Sequence, residues 1–437
     1  MIEQSLPEMF IRRMAEQLGE ELPAFLACYG EPARRGIRLN TLKPLPAGTA
    51  PEGLGDPIPW AGDAYFLAEE SRIGAHPLHE AGACYIQEPS AMLPAAVLTP
   101  RPGERVLDLC AAPGGKSTQM AAMMRGRGLL VCNEPVHSRA QVLSRNVERM
   151  GVVNAVVTCA WPDDLARRWP EAFDAVMVDA PCSGEGMFRR VPESRGEWTP
   201  QSPAGCAQRQ AGILGAAARM VRPGGRLVYA TCTLNDTENR DQVEAFLASH
   251  PDFELQPFAL PGATGPEGML TCYPHRMPGE GQFCALMRRK GDAPGRMPPD
   301  GHPRVPDRTQ RHALAEAFPE APVPDGLFGD SLILLPELPD LACLQVLRCG
   351  LHLGSVRNGR FLPDHAWAVS SLPPVCPRVT VTEEEARRYQ AGETLRIAEE
   401  TAGWVLPVLS GLPLGWGKAT GGVLKNHYPK GLRRPYP

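Results

Sequence analysis

Val106-Leu107-Asp108-Leu109-Cys110-Ala111-Ala112-Pro113-Gly114-Gly115-Lys116-Ser117-Thr118 is the stretch on which the reading of the fold turns. A short apolar run ends in an aspartate and small residues, two glycines follow, and residues 116–123 suit a helix. The pattern is strand, tight turn, helix. Glycine and alanine let a backbone approach a ligand closely, and a helix start offers free N–H groups and a positive dipole end. An ordinary strand-to-helix turn would explain a lone Gly-Gly pair. A phosphate-binding P-loop would need a glycine five positions before Gly115, where Cys110 stands, so that reading ranks low. A nucleotide-like cofactor in a Rossmann-type fold predicts an acid after the next strand to hold ribose hydroxyls, and Leu129-Leu130-Val131-Cys132-Asn133-Glu134 supplies Glu134 there. This third reading leads.

The whole chain sets the bounds. With 437 residues and 43% hydrophobic content it can bury at least one full core, and its length suggests roughly two to four domains. Its 44 glycines and 47 prolines make a loop-rich chain without reaching the composition of a disordered one. A net charge of −4 gives no general pull toward nucleic acid, so RNA contact requires local basic patches. Thirteen cysteines lie scattered without Cys-x-x-Cys pairs or metal-ligand spacing, and Met1-Ile2-Glu3-Gln4-Ser5 lacks a secretory pattern. A reducing cytoplasm, no metal and mostly buried thiols are expected. No apolar run has the length to cross a bilayer.

Residues 1–82 read as an N-terminal subdomain, with helical pieces at 6–14 and 22–29 followed by an extended segment. Arg34, Arg35, Arg38 and Lys43 cluster there; a solvated basic face is the ordinary explanation, a phosphate contact the sharper one. Residues 83–290 alternate strands and helices, as a doubly wound, mostly parallel sheet does, with buried strands at 173–179 and 226–231. Asn235, with Glu238 three positions on, suggests a capped helix start. A Pro/Gly-rich linker at 291–306 leads to a small connecting domain, 307–375, with short strands at 331–335 and 345–348. In 376–437, Thr382-Glu383-Glu384-Glu385 marks a capped helix. From Thr401 onward there is no acid, yet Lys418, Lys425, Lys430, Arg433 and Arg434 stand among Trp404, Trp416, His427, Tyr428 and Tyr436. Basic charge interleaved with aromatics suits phosphate contact plus base stacking, with a solvated domain end as the equal alternative.

In an open parallel sheet, reactive groups gather beyond the carboxyl ends of strands. Two cysteines stand there, in Asp179-Ala180-Pro181-Cys182-Ser183-Gly184-Glu185-Gly186 and in Thr231-Cys232-Thr233. Either alone would be structural by default; both beside a cofactor loop point to chemistry. These two segments and Cys110 to Lys116 resemble the fourth, sixth and cofactor motifs of the Nol/Nop/Sun RNA cytosine-5 methyltransferases, RsmB/RsmF-type, in particular the bacterial RsmF-like branch. Asn40-Thr41-Leu42-Lys43 and Gln87-Glu88-Pro89-Ser90-Ala91-Met92 resemble segments leading into that catalytic domain. Leu414-Gly415-Trp416-Gly417-Lys418 and Lys425-Asn426-His427-Tyr428-Pro429-Lys430-Gly431-Leu432-Arg433 resemble its C-terminal PUA-like unit.

The resemblance implies an α/β fold: a Rossmann-like class I S-adenosylmethionine-dependent domain, flanked by an N-terminal RNA-binding subdomain and a β-rich PUA-like region. It implies S-adenosylmethionine as cofactor and RNA, in particular small-subunit ribosomal RNA, as partner, with transfer RNA as the alternative substrate. Cys232 would be the nucleophile, since cytosine carbon 5 becomes reactive only after addition at carbon 6, and a thiolate suits that addition. Cys182 would assist proton loss or product release, and Asp179 would support the ring nitrogen, a role a raised pKa favours. Cys110, Ala111, Ala112, Pro113, Gly114, Gly115 and Lys116, with Asp179, would hold the methionine end of the cofactor, and Glu134 its ribose. Arg38, Lys43, Lys418, Lys425, His427, Lys430 and Arg433 are the candidate RNA contacts. The family's polar adenine contact is replaced by Ala160-Trp161, which leaves Trp161 and Asp163 as open candidates. A non-catalytic RNA-binding factor would show an eroded Cys232, Cys182 or Asp179, and none is eroded. A small-molecule methyltransferase would need neither the basic tail nor the N-terminal arginines.

Overall fold

The computed structural model describes residues 5–299, 304–335 and 337–435. Met1 to Gln4 of the N-terminal segment and Tyr436 of the tail lie outside them. At the centre is a nine-stranded sheet in which the strands Val221–Thr231, Phe173–Asp179, Arg105–Asp108, Leu129–Asn133 and Ala155–Thr158 stand side by side and parallel. Leu107, Leu129, Val131, Val156, Val176 and Val178 are fully buried, as the continuous apolar runs of a sheet covered on both faces require. After Arg105–Asp108 the chain builds two strands outward on one side, then returns to build on the other. The sheet order therefore reverses beside Asp108, and in a doubly wound sheet the ligand crevice opens at that reversal.

Antiparallel strands close both edges. Gln282–Arg289 pairs with Val221–Thr231 on one side, and Val346–Cys349 pairs with Ala155–Thr158 on the other. The second edge differs from the sequence reading, which gave 345–348 to a separate small unit. Cys349 is buried and the Val346 side chain packs on the main core, so burial against a distant strand decides where this short run goes. The neighbouring strands Gly326–Phe328, Ser331–Leu334, Leu351–Arg357 and Arg360–Pro363 form their own four-stranded sheet. Its core is shared with the C-terminal sheet through Phe318, Trp367 and Trp416.

The helix Glu8–Leu18 follows Pro7 and ends at Gly19, which adopts φ 54°. Phe10, Met14 and Leu18, four apart, form one buried stripe, and they pack with Phe25 on Phe188, Trp198 and Leu234 of the catalytic domain's loops. The extended segment of the N-terminal region is a four-stranded antiparallel sheet that includes Cys84–Gln87, a run the sequence reading gave to the catalytic domain. Helix Glu383–Ala391 begins with the expected capping box, Thr382 with Glu385. The second expected cap is absent: the helix after Cys232 starts at Arg240, and Asn235 instead closes a local turn by accepting from the Glu238 N–H at 2.9 Å. Among the described residues no helix is long and apolar enough to cross a membrane.

Candidate active site

Beyond the carboxyl ends of the parallel strands, Asp108, the Cys110 to Lys116 loop and Asp179 line one cavity of about 240 Å³, together with Tyr85, Gln87, Glu88 and Arg190. A larger hollow, about 990 Å³, is lined by Trp60, Thr99, Met123 and Leu372 among others and carries no thiol or strand-end acid. Size therefore does not mark the reactive site; the convergence of strand ends does.

Local geometry follows from the residues of the loop. Gly114 takes φ 110°, a conformation strained for any side chain, and turns the chain into the helix Gly115–Met124. A Cβ on Gly115 would come within 3.3 Å of Tyr85 and Gln87, so the bare backbone keeps the cavity wall thin. Asp108 is fully buried, its Oδ2 accepts from the Ser117 hydroxyl at 2.6 Å, and burial pushes its carboxyl up to about 7. Its Oδ1 has no hydrogen-bond partner, which fits a site awaiting a donor from a ligand. Lys116 Nζ is 2.8 Å from Asp179 Oδ2; burial alone pulls its ammonium down, the Asp179 carboxylate outweighs this, and the net shift is upward. Lys116 and Ser117 thus spend their polar atoms on Asp179 and Asp108, which removes the P-loop reading.

The two strand-end cysteines meet. Cys182 Sγ and Cys232 Sγ are 3.2 Å apart, although 50 residues separate them. The hydrogen bond to Cys232, then burial, then the charges of Cys232 and Glu238 push the Cys182 thiol well up. Lys116, by contrast, senses the charge of Cys232. Cys182 therefore holds its proton harder than an ordinary thiol, and either sulfur of the pair can act as the donor. Gly186 holds the Cys232 backbone, its N–H donating to the Cys232 carbonyl at 3.0 Å, and a Cβ there would lie 2.7 Å from the Gly281 oxygen and 2.9 Å from that carbonyl.

Glu134 is buried, with Oε1 accepting from the Val136 N–H at 3.0 Å and Oε2 paired with Arg139 at 3.1 Å. Asn133, which sequence reasoning passed over, ties three segments together: it donates to the Leu109 and Ala160 carbonyls and accepts from Thr158 and the Ala160 N–H. Of the two adenine candidates, Asp163 is turned to Arg219, whereas Trp161 stands 67% exposed just after Ala160.

Two of the basic RNA candidates are corrected. Arg38 is buried and donates to Gln87 Oε1 (2.8 Å), the Gly115 carbonyl (2.7 Å) and Thr118 Oγ1 (3.0 Å), fastening the N-terminal sheet to the first turn of the loop helix. Lys43 is buried, bonded to the Ala81 and Arg149 carbonyls, and burial pulls its ammonium down to about 7. The C-terminal candidates stand differently. Trp404, Lys418 and Lys425 are directly opposite one another on three adjacent strands, so they share one face, with Lys418 Nζ 5.5 Å from the Trp404 ring centre and His427 edge-on to it at 4.8 Å. Lys418, Lys425, His427, Lys430 and Arg433 are all exposed. Trp416 and Tyr428 are buried and present no face to RNA.

Four family models match consecutive parts of the chain: the N-terminal domain of 16S rRNA methyltransferase RsmF at 6–89, 16S rRNA methyltransferase RsmB/F at 95–288, the RsmF first C-terminal domain at 317–370 and the RsmF PUA domain at 376–434. Ribosomal RNA small subunit methyltransferase F of Klebsiella pneumoniae is 33% identical over 468 residues, covering 98% of this chain and 96% of the relative. The protein of that name from Shewanella putrefaciens is 34% identical over 463 residues, with 95% of each chain covered. A solved methyltransferase homologue from Pyrococcus horikoshii superposes with a TM-score of 0.55 at 28% identity, over 65% of this chain and 95% of its own. With a Rossmann-like sheet, the strand-end motifs and full-length relatives in agreement, the chain belongs to the RsmF branch of the 16S rRNA methyltransferase RsmB/F family.

Proposed function

We propose that the protein methylates carbon 5 of a cytosine in small-subunit ribosomal RNA, with Cys232 as nucleophile and Cys182 assisting release. The chain is an S-adenosylmethionine-dependent methyltransferase by family, and the finer reading is carried by one observation: two thiols 3.2 Å apart at adjacent strand ends, beside the Lys116–Asp179 pair.

The Cys232 thiolate forms a bond to carbon 6 of the ring, which turns carbon 5 into an enamine nucleophile. Bound S-adenosylmethionine would supply an electrophilic methyl group for that carbon and leave as S-adenosylhomocysteine. The carbon-5 proton then passes to water, the double bond re-forms and the carbon–sulfur bond breaks, returning Cys232 as thiolate. Cys182 donates its hydrogen bond to the departing sulfur and so stabilises it. Asp179, held by Lys116, hydrogen-bonds the edge of the ring. The loop Cys110, Ala111, Ala112, Pro113, Gly114, Gly115 and Lys116 would hold the methionine end of the cofactor, with the unpartnered Asp108 Oδ1 available to accept a hydrogen bond there, and Glu134 would hold the ribose. The exposed Trp161 would offer a flat surface for adenine. The target base is turned out of its stack to enter the cavity. Trp404, Lys418, Lys425 and His427 contact the surrounding RNA by stacking and charge.

The test is methyl transfer from labelled cofactor to small-subunit RNA, with the modified base mapped by bisulfite sequencing. Cys232→Ala abolishes transfer and forms no adduct; Cys182→Ala accumulates a denaturation-resistant protein–RNA species. A Cys182→Ala enzyme that turns over without such a species refutes the two-cysteine assignment.

A further inference from the structure

Glu238 lies six residues past Cys232, is fully buried, and makes no ion pair among the described residues. Its carboxylate is instead surrounded by neutral donors. Oε2 accepts from the Ser183 N–H at 3.0 Å and from Gln210 Nε2 at 2.8 Å; Oε1 accepts from Asn235 Nδ2 at 2.8 Å and from the Ser183 hydroxyl. Gln210 Nε2 also donates to the Pro181 carbonyl at 3.1 Å. Pro181 and Ser183 are the two neighbours of Cys182, so both sides of that residue are gripped by one buried anion and its partner.

The nucleophile has separate supports. Asn239 receives the Thr231 hydroxyl at 2.6 Å and donates to the Thr233 carbonyl at 3.1 Å, while Gly186 holds the Cys232 carbonyl. Asn239 thus serves the Cys232 segment alone, whereas the Glu238 network holds the Cys182 loop and also touches Thr233, through Ser183 Oγ at 2.8 Å and Asn235 Nδ2 at 2.9 Å. A buried carboxylate without a cation is costly to keep unless its hydrogen bonds are all made, and this one accepts four.

We propose that Glu238 is a positioning residue for the release step, holding the Cys182 loop so that the Cys182 thiol meets the departing Cys232 sulfur. This rests on the two-cysteine reading above. An amide cannot replace the carboxylate: in Glu238→Gln one oxygen becomes a donor, and whichever way the amide turns it faces at least one of the N–H groups now satisfied. The Cys182 loop loses its register while the Asn239 and Gly186 supports of Cys232 remain.

The experiment measures single-turnover methylation, steady-state turnover and the fraction of enzyme trapped on RNA for the wild type, Cys182→Ala, Glu238→Gln and Ser183→Ala. Glu238→Gln completes first-turnover methylation, traps covalent enzyme, and loses kcat on the order of 10- to 100-fold, the cost of misplacing a reacting group by about an ångström, with KM for the cofactor unchanged. Ser183→Ala, which removes one of the four bonds to Glu238 together with the hydroxyl's contacts to Thr233 and Asn235, shifts the same readouts in the same direction by less. If Cys182→Ala traps no adduct, the two-cysteine reading falls. If Cys182→Ala traps adduct but Glu238→Gln and Ser183→Ala release it at the wild-type rate, that reading stands and the role of Glu238 is overturned. Should Glu238→Gln not fold, Ser183→Ala decides alone.

Discussion

Replacing Arg38 by alanine separates a structural arginine from an RNA-binding one. Its guanidinium makes three bonds of 2.7–3.0 Å and lies 5.3 Å from the centre of the Tyr85 ring. Thr118 Oγ1 keeps its own bond to Gly114, and the Gly115 carbonyl keeps a second donor in Thr118 at 3.2 Å, so two of the three acceptors stay partly satisfied. Gln87 Oε1 is left bare in a buried setting. One orphaned acceptor at about 1–3 kcal/mol, one lost charge-assisted bond at about 1.5–3 kcal/mol and a lost cation–π contact at about 0.5–1 kcal/mol sum to roughly 3–7 kcal/mol. For a domain of this size even the lower end lowers the thermal midpoint by roughly 6–12 °C. Because the bond to Gly115 is lost, cofactor affinity measured by calorimetry falls as well, while the salt dependence of RNA binding stays the same. A variant whose midpoint moves by less than about 2 °C and whose RNA affinity alone declines would falsify this account of Arg38.

Three further outcomes follow from other contacts. Lys418→Ala with Lys425→Ala flattens the slope of log affinity for RNA against log salt by about 1.4, near 0.7 per single-strand phosphate contact, and changes stability by less than about 0.5 kcal/mol; an unchanged slope in filter binding removes the patch from the interface. Gly186→Ala drives a methyl into the Gly281 and Cys232 carbonyls, so turnover falls far more than cofactor affinity; equal losses in both would point to general damage. Lys43 has a folded pKa of about 7, below its unfolded value, so above pH 7 the unfolded chain binds the extra proton and stability rises with pH until the unfolded group titrates. Relative to Lys43→Met, the wild type gains on the order of 1 kcal/mol per pH unit between pH 7 and 9 in denaturant titrations, and parallel curves would contradict the burial of a neutral amine.

The cluster at the strand ends was readable in the chain because its parts are short and contiguous. A parallel strand buried on both faces is a continuous apolar run, its carboxyl end is where that run stops, and Asp108, Asp179, Cys182 and Cys232 each stand within a few residues of such a stop. The capping box at Thr382 was visible for the same reason. Glu238 was misread by that logic: its spacing from Asn235 matched a helix cap, yet its carboxylate had better partners in Ser183 and Gln210, brought in from other elements. Trp416 and Tyr428 matched an aromatic RNA platform by composition, while packing against Trp367 and Tyr389 buried them.

Residue order alone thus determined the doubly wound domain, the loop after its first parallel strand and the strand-end placement of the two thiols, since each depends on interactions between near neighbours or on the period of apolar residues. Tertiary structure decided whether a cation meets solvent or a carbonyl, and which edge a four-residue strand joins. Arg38 reaches a carbonyl 77 positions away and Lys43 one 106 positions away, and Val346–Cys349 pairs with a strand near residue 157. The free energy of those choices lies in desolvation and in partners that the chain brings together only on folding, and no local spacing records it.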